Sequence, residues 1–439
     1  MRVLLVSANT EKITMPVLPL GLACVAAATQ KAGHDIKVVN LMDQQDFQRV
    51  LKEAIEELRP EVIGISLRNI DDQCQENPKF FLDSVRKVIQ ECRSLSEAPI
   101  VLGGPGYSIF PGPALEYLKA DMGIQGEGEK AFVSLLERLS QRSDITGLPG
   151  LFLPGSRLPD VASFTRDLNE HPLPPPDLTL WSSPLATDQE DLWIPFQTRR
   201  GCPMNCSYCS TATIEGRIIR KRSPKNVVES MFRYADLGFD KFFFVDNIFN
   251  LPPSYAKRIC EGLISAGLNV SWRCILYPHK VDEELVEKMA GAGCKEVSLG
   301  CESGSGRILR AMNKRFQPEE VRHISDMLKG HGIRQMGFLL LGGPAEDKKT
   351  VMESLLFADS LNLDSMKITI GIRIYPHTDL ARTAAKEGLM APDENLLFPK
   401  FYIKKDMKDW LHKTIEGWKK DRPHCISIVQ EKGILLHLS

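Results

Sequence analysis

The chain has 439 residues, 43% hydrophobic and 25% charged, with 55 Lys+Arg against 56 Asp+Glu. That composition is the soluble globular average and excludes extended disorder and collagen-like repeats. The charge balance excludes a globally basic surface of the kind that coats nucleic acid, so no nucleic-acid partner is expected.

The length allows two or three domains. Apolar runs such as residues 337–341 are far too short to span a bilayer. Residues 1–6 read as a strand with no charged-then-apolar leader before it, which predicts a cytoplasmic protein. Over residues 1–140 strands and helices alternate. Strands are expected at 2–6, 35–41, 61–67, 99–102 and 122–125. Helices are expected at 20–31, 46–58, 80–92, 114–119 and 130–139, with stops at Gly33 and Pro60. Five strands separated by helices predict an α/β domain with a doubly wound parallel sheet. Such sheets bind ligands in the loops after the strands' C-terminal ends.

Residues 141–192 read as a linker. Pro172, Pro174, Pro175, Pro176 and Pro184 fix φ and remove donors, so no regular core element fits there. From Trp193 the alternation resumes with strands at 193–198, 241–245, 270–275, 296–299, 334–341 and 365–372. Ser223-Pro224 starts one helix and Asp282 caps another. Six β/α units over 193–375 predict a partial (β/α)6 barrel, short of the usual eight. Residues 376–439, with Trp410 and Trp418, form a short α-rich C-terminal capping region.

Eleven cysteines in such a chain do not read as a disulfide framework. Eight are scattered and show no second close pair, so no auxiliary cluster is expected. Cys202, Cys206 and Cys209 crowd onto one loop after the first barrel strand, spaced Cys-x3-Cys-x2-Cys. Thiolates so close can converge on one metal centre. Structural zinc prefers four ligands, usually as two separated pairs, and no fourth Cys or His lies nearby. A [4Fe–4S] cluster held by three cysteines leaves one iron open to a further ligand. The plainer alternative is a chance cluster or a redox thiol set.

The triplet is the signature of the radical S-adenosylmethionine (SAM) superfamily, which the chain resembles. The resemblance continues through residues 222–228, Asp246-Asn247 at the end of the second barrel strand, Gly300-Cys301-Glu302-Ser303-Gly304, Gly342-Gly343-Pro344, and Tyr375-Pro376-His377-Thr378. In the last motif His377 replaces the family's glycine. The resemblance implies that Cys202, Cys206 and Cys209 hold the cluster and that the open iron takes the SAM amino and carboxylate groups. It implies that Asp246, Asn247, Glu302 and Ser303 position the rest of SAM. Read plainly, the first two are a polar strand terminus and Glu302 a turn carboxylate. Tyr375 and His377 are candidate catalytic residues on a loop at the active end. Their plain readings are a wall residue and a packed loop histidine.

The first domain resembles the cobalamin-binding domain often fused in front of such barrels, on Pro19-Leu20-Gly21-Leu22, Lys31-Ala32-Gly33-His34, Val101-Leu102-Gly103-Gly104-Pro105 and Gly126-Glu127-Gly128-Glu129. The implied cobalamin contacts are Ser66, Gly103, Gly104, Pro105, Gly126, Glu127 and Gly128. The loop Ser7-Ala8-Asn9-Thr10-Glu11-Lys12 lacks the Asp-x-His-x-x-Gly of the mutases, so cobalt is expected to lack a protein imidazole.

The resemblance implies a cobalamin-dependent radical SAM methyltransferase. It would act on an unactivated carbon of a small molecule through a 5′-deoxyadenosyl radical. An external electron donor of flavodoxin or ferredoxin type would supply the electron, and a second SAM would remethylate the cobalamin. The alternatives are a radical cyclase, ring-rearranging or C–C bond-forming enzyme, and a non-catalytic cobalamin or redox sensor. A methylthiotransferase fits less well, since that family's extra N-terminal cysteine trio is missing. The basic stretch Arg217, Arg220, Lys221 and Arg222 is by default a solvated loop, and otherwise a grip on an anionic substrate.

Overall fold

The computed structural model describes residues 1–10, 18–42, 44, 46–155, 164–171, 173–177 and 192–427. Five short apolar runs make the first sheet: β1 (Arg2–Ser7), β2 (Asp35–Asn40), β3 (Val62–Ser66), β4 (Ile100–Gly103) and β5 (Met122–Ile124). They run parallel in the order β2-β1-β3-β4-β5. β1 buries every residue after Arg2, because helices cover both faces of the sheet. Helices Leu20–Lys31 and Gly128–Ser140 pack on one face around Val3, Leu5 and Leu135. Helices Phe47–Leu58, Leu82–Leu95 and Pro111–Leu118 cover the other around Leu4, Val6 and Ile63.

A sixth strand, β6 (Leu151–Phe152), adds antiparallel to β5. It arises in the stretch expected to be linker; two residues carry no periodicity to read. Much of that stretch, including Pro172 and Pro184, lies outside the described residues. Within its described part, Leu168–Glu170 is a 3-10 turn.

β7 (Ile194–Phe196) opens the second sheet. A two-strand ribbon, β8 (Arg199–Arg200) with β9 (Arg220–Lys221), then brackets the cysteine loop. β10 (Lys241–Phe244), β11 (Ser271–Leu276), β12 (Cys294–Glu302), β13 (Arg334–Leu341) and β14 (Ser365–Ile370) follow β7 in chain order, all parallel. Burial alternates along these strands. Trp272, Cys274, Val297, Leu299, Leu339 and Ile368 pack under the helices. Arg273, Ser298, Phe338 and Lys367 stay half-buried on the opposite side. β12 outruns its expected end at 299, so Gly300 to Glu302 stand on the strand itself.

After β14, the strands β15 (Ile372–Arg373) and β16 (Phe401–Tyr402) form a second ribbon, and β17 (Cys425–Ser427) adds parallel to β14. The tail is therefore not only helical: helices Asp379–Lys386 and Lys408–Lys419 are interleaved with strands. Arg422 ties its end to Asp359 on helix Lys348–Leu361 at 2.6 Å.

One apolar cluster joins the two sheets. Leu67, Ile70 and Phe110, just beyond β3 and β4, pack with Met312, Ile372, Ile374 and Leu380, beyond β12 and β14. The loops after the strands of one sheet thus meet the loops after the strands of the other. Those are the ligand-bearing ends of parallel α/β sheets.

Candidate active site

Gly201 opens the cysteine loop at φ 89°, and a Cβ there would stand 2.1 Å from the Ile218 carbonyl oxygen, so only glycine fits. The loop is then fixed by its backbone. Cys202 N–H donates to the Gly216 carbonyl at 3.1 Å, Cys209 N–H to the Cys206 carbonyl at 3.2 Å, and Ser207 N–H to the Met312 carbonyl at 3.1 Å. Glu215 adds a side-chain clamp, accepting from Gly201 N–H at 3.0 Å and from Asn247 Nδ2 at 2.5 Å.

Cys202 is buried, Cys206 half-buried and Cys209 exposed, all as free thiols. Burial, with the neighbouring Cys209 and Cys206 adding to it, pushes the Cys202 thiol up to about 11. A thiol held that high is deprotonated by a bound metal rather than by solvent. Among the described residues no three His, Cys, Asp or Glu side chains stand close enough to share one ion. Three thiols on one loop are one short of the four ligands of structural zinc and suit an iron–sulfur cluster with one open iron.

The four residues expected around SAM divide in two. Asp246 is fully buried, and its carboxylate is used up within the barrel. It accepts from Thr198 N–H at 2.7 Å, Thr198 Oγ1 at 2.6 Å and Arg199 N–H at 3.1 Å, and pairs with Arg199 Nε at 3.3 Å. It brackets the end of β10 to the chain leaving β7. Ser303 is likewise internal, 2.8 Å from Ser354 Oγ and accepting from Ser305 N–H. Enclosure of both side chains cannot be read from motif spacing. Asn247 and Glu302 do meet the cysteine loop. Glu302, at φ 61°, accepts from Tyr208 OH and Lys314 Nζ, each at 2.9 Å. The Lys314 ammonium also opposes the rise in pKa that burial imposes on the Cys206 thiol. Tyr208, Lys314 and Glu215 escape sequence reasoning. Tyr208, between two cysteines, was the legible one; Lys314 and Glu215 carry no motif.

Tyr375 sits at the seam, its ring 6.2 Å from Phe110 of the first domain and 5.2 Å from the Arg373 guanidinium. Burial raises its phenol, with Asp71 adding to the effect and Cys209 contributing. His377 is solvent-exposed at φ 63°, the left-handed backbone that suits the glycine it replaces.

In the first domain Ser66 and Gly104 face each other across the ends of β3 and β4. A Cβ on Gly104, at φ 94°, would stand 2.9 Å from Ser66 Oγ and 2.6 Å from the Leu67 carbonyl oxygen. Gly103 is open on that side, and Pro105 begins the short helix Pro105–Ile109. Gly126 N–H donates to Ser108 Oγ at 3.0 Å. Gly128 is a packing glycine: a Cβ there would stand 2.8 Å from Val25 Cγ2 on the neighbouring helix. Glu127 reaches the second domain. It pairs with Arg220 and, at 3.4 Å, with Arg200, while Glu129 pairs with Arg200 at 2.5 Å. All four side chains are buried. Arg220 and Arg222 of the basic stretch are therefore internal, leaving Arg217 and Lys221 exposed.

The order β2-β1-β3 places the topological switch between β1 and β3. Ala8, Asn9 and Thr10 line a crevice there with Leu67, Arg68 and Asn69. Arg68 is exposed at this crevice, and no ion pair reaches it among the described residues, so a free cation lines it. That donor suits cobalamin, whose tail carries a phosphodiester. His34 lies at the far end of the sheet, against the Met1 amine at 3.2 Å, and no histidine lines the crevice among the described residues.

Residues 6–136 match the B12 binding domain and residues 197–358 the radical SAM superfamily. A curated relative, the uncharacterized methyltransferase PH0819 of Pyrococcus horikoshii, is 27% identical over 89% of this chain and 84% of its own. The tryptophan 2-C-methyltransferase of Streptomyces laurentii is 23% identical over 86% of this chain and 74% of its own. The radical SAM methyltransferase TsrM of Kitasatospora setae, solved with cobalamin and a [4Fe–4S] cluster bound, shares the fold. Its TM-score is 0.77 at 24% identity, covering 88% of this chain and 78% of that one. Among the described residues no helix is long and apolar enough to cross a membrane. With a B12 binding domain and a radical SAM barrel joined at their ligand-bearing ends, the chain is a radical SAM enzyme and belongs to the cobalamin-binding radical SAM family.

Proposed function

We propose that this enzyme methylates an unactivated carbon of a small molecule held between its two sheets. The observation that carries this reading is the meeting of the strand-end loops of the two sheets, one sheet bearing the cysteine loop and the other the β1/β3 crevice. When bound, the cluster with SAM supplies a carbon-centred radical and the cobalamin supplies a methyl group; the protein positions them. Both curated methyltransferase relatives span most of this chain, across both domains.

Cys202, Cys206 and Cys209 are the cluster ligands in this reading. Glu215 holds the loop's entry and Asn247 alongside it. Tyr208, Glu302 and Lys314 form a linked set beside Cys206, with the Lys314 ammonium close to the thiol. A cation there stabilises the anionic thiolate that a cluster needs. Arg68 serves the cobalamin tail. The apolar seam of Phe110, Met312, Ile374 and Tyr375 excludes water from the cleft, which protects a radical from quenching. Reduction is assigned to an external electron-transfer protein, and the site of action to the cytoplasm.

The test is anaerobic reconstitution with iron, sulfide and cobalamin, followed by metal counts and incubation with SAM, reductant and candidate substrates. Iron and cobalt on the same chain, 5′-deoxyadenosine, and a product heavier by one CH2 are expected. Iron without cobalt removes methyl transfer and keeps the radical reading. A product of rearranged bonds and no added carbon marks the cyclase alternative.

A further inference from the structure

We infer that the cationic pocket beside Pro203 and Met204 is the docking site of an acidic electron-transfer protein that reduces the cluster. The inference rests on the radical reading above and adds where its partner binds. The pocket has a volume of about 340 Å³, with Pro203, Met204 and Leu251 as apolar lining and Lys221, His279, Lys280 and Arg315 as polar lining. Pro203 and Met204 stand between the first two cysteines, so a partner seated here touches the cluster loop directly.

The charge is of one sign. No carboxylate lines the pocket. Among the described residues no ion pair reaches Lys221, Lys280, Arg315 or the adjacent Arg217. Arg217 donates to Asn205 Oδ1 at 3.1 Å and Arg315 lies 3.5 Å from the Pro203 carbonyl oxygen, so both lean on the same loop. Glu320 stands 3.6 Å from His279, and Asp282 is held by Lys257 at 2.8 Å. By contrast, Arg199, Arg200, Arg220 and Arg373 are all buried in ion pairs. Unneutralised cations at a surface steer an anionic partner and are screened by salt.

The apolar part matches. Ile218, beside Arg217, is 76% exposed, more than any other large hydrophobic side chain described. An apolar centre with a charged rim is the anatomy of a protein interface, and electron-transfer pairs use small ones. A substrate does not fit here. It must meet both cofactors in the cleft, and no residue of the first domain lines this pocket. The donor's reduced centre loses one electron and the oxidised cluster gains it; no proton or group moves.

The test is a titration of oxidised acidic flavodoxin onto cluster-reconstituted enzyme, read by flavin fluorescence. Wild type, K221E/K280E and the exposed first-domain control K87E/K130E are compared. We expect K221E/K280E to weaken binding about tenfold or more at low salt, the control to bind as wild type, and about 0.5 M salt to weaken wild type similarly. Equal binding by K221E/K280E and wild type, equal loss in the control, or no wild-type binding overturns the site. Dithionite needs no dock, so 5′-deoxyadenosine formed with it should be unchanged in K221E/K280E. Loss of that product in K221E/K280E shows damage to the cluster itself and overturns the site. Its absence from wild type overturns the radical reading alone, because binding is read separately.

Discussion

The two sheets use their acidic strand-end residues in opposite ways. In the barrel, Asp246, Glu215, Glu302 and Glu346 bond within their own domain, to Thr198 and Arg199, Gly201, Tyr208 and Lys314, and the Gly342 and Gly343 amides. In the first domain, Glu127, Glu129 and Asp71 reach across to Arg220, Arg200 and Arg373 of the second. One set shapes loops that must hold a cluster and SAM in fixed geometry. The other sets the angle at which one ligand-bearing face meets the other. Arg200 belongs to both, since it stands two residues before Cys202. Motif carboxylates that look alike in sequence thus do separate work, and only their partners distinguish them.

The largest expected effect lies on the cluster side. Replacing Cys202, Cys206 or Cys209 with Ala, one at a time, should leave little bound iron after reconstitution and no 5′-deoxyadenosine. A full iron complement in any of the three removes that cysteine from the ligand set.

The cross-domain pairs come next. R200M strands Glu129 as a buried unpaired charge and should cost about 3–5 kcal/mol in denaturant unfolding, with much of it restored in E129Q/R200M. Burial by itself would raise the Glu129 pKa, but the Arg200 guanidinium outweighs it and holds the carboxyl at about 2. Its contribution is therefore present above the ordinary pKa of 4.5 and is lost as pH falls towards 2. E129Q/R200M should lose that part of the acid sensitivity; an unchanged acid profile breaks the contrast between the sheets.

Glu346 tests the barrel set. Burial raises it to about 7 against the bonds it accepts from Gly342 and Gly343, and its second oxygen is buried without a partner. The folded state holds its proton more tightly than the unfolded chain does. Its stabilising contribution is thus lost as pH rises through about 7. E346Q should lessen the fall in unfolding free energy between about pH 4.5 and 7, a change of the order of 1–3 kcal/mol.

The smallest effect is at His377. H377G relieves a left-handed backbone and should change stability by about 1 kcal/mol or less, in the favourable direction, with turnover kept. A collapse of turnover would restore the histidine to the catalytic set.

Much of this molecule is legible along the chain. Apolar runs between helix caps locate the parallel strands, and the spacing of Cys202, Cys206 and Cys209 marks the metal loop, because both signals are local. β6 and β17 are too short for periodicity to reveal, and they form because a neighbouring edge offers unpaired donors and acceptors. That packing encloses the Asp246 and Ser303 side chains is not legible in motif spacing. Nor is it legible that Arg200 and Arg220 arrive from about 70 and 90 residues away to pair with the Glu127 charge. The sequence by itself determined the element order, the two α/β units and the cysteine loop. Tertiary structure alone decided which polar groups stay free for ligands, because a side chain's last hydrogen bond depends on what the rest of the chain brings beside it.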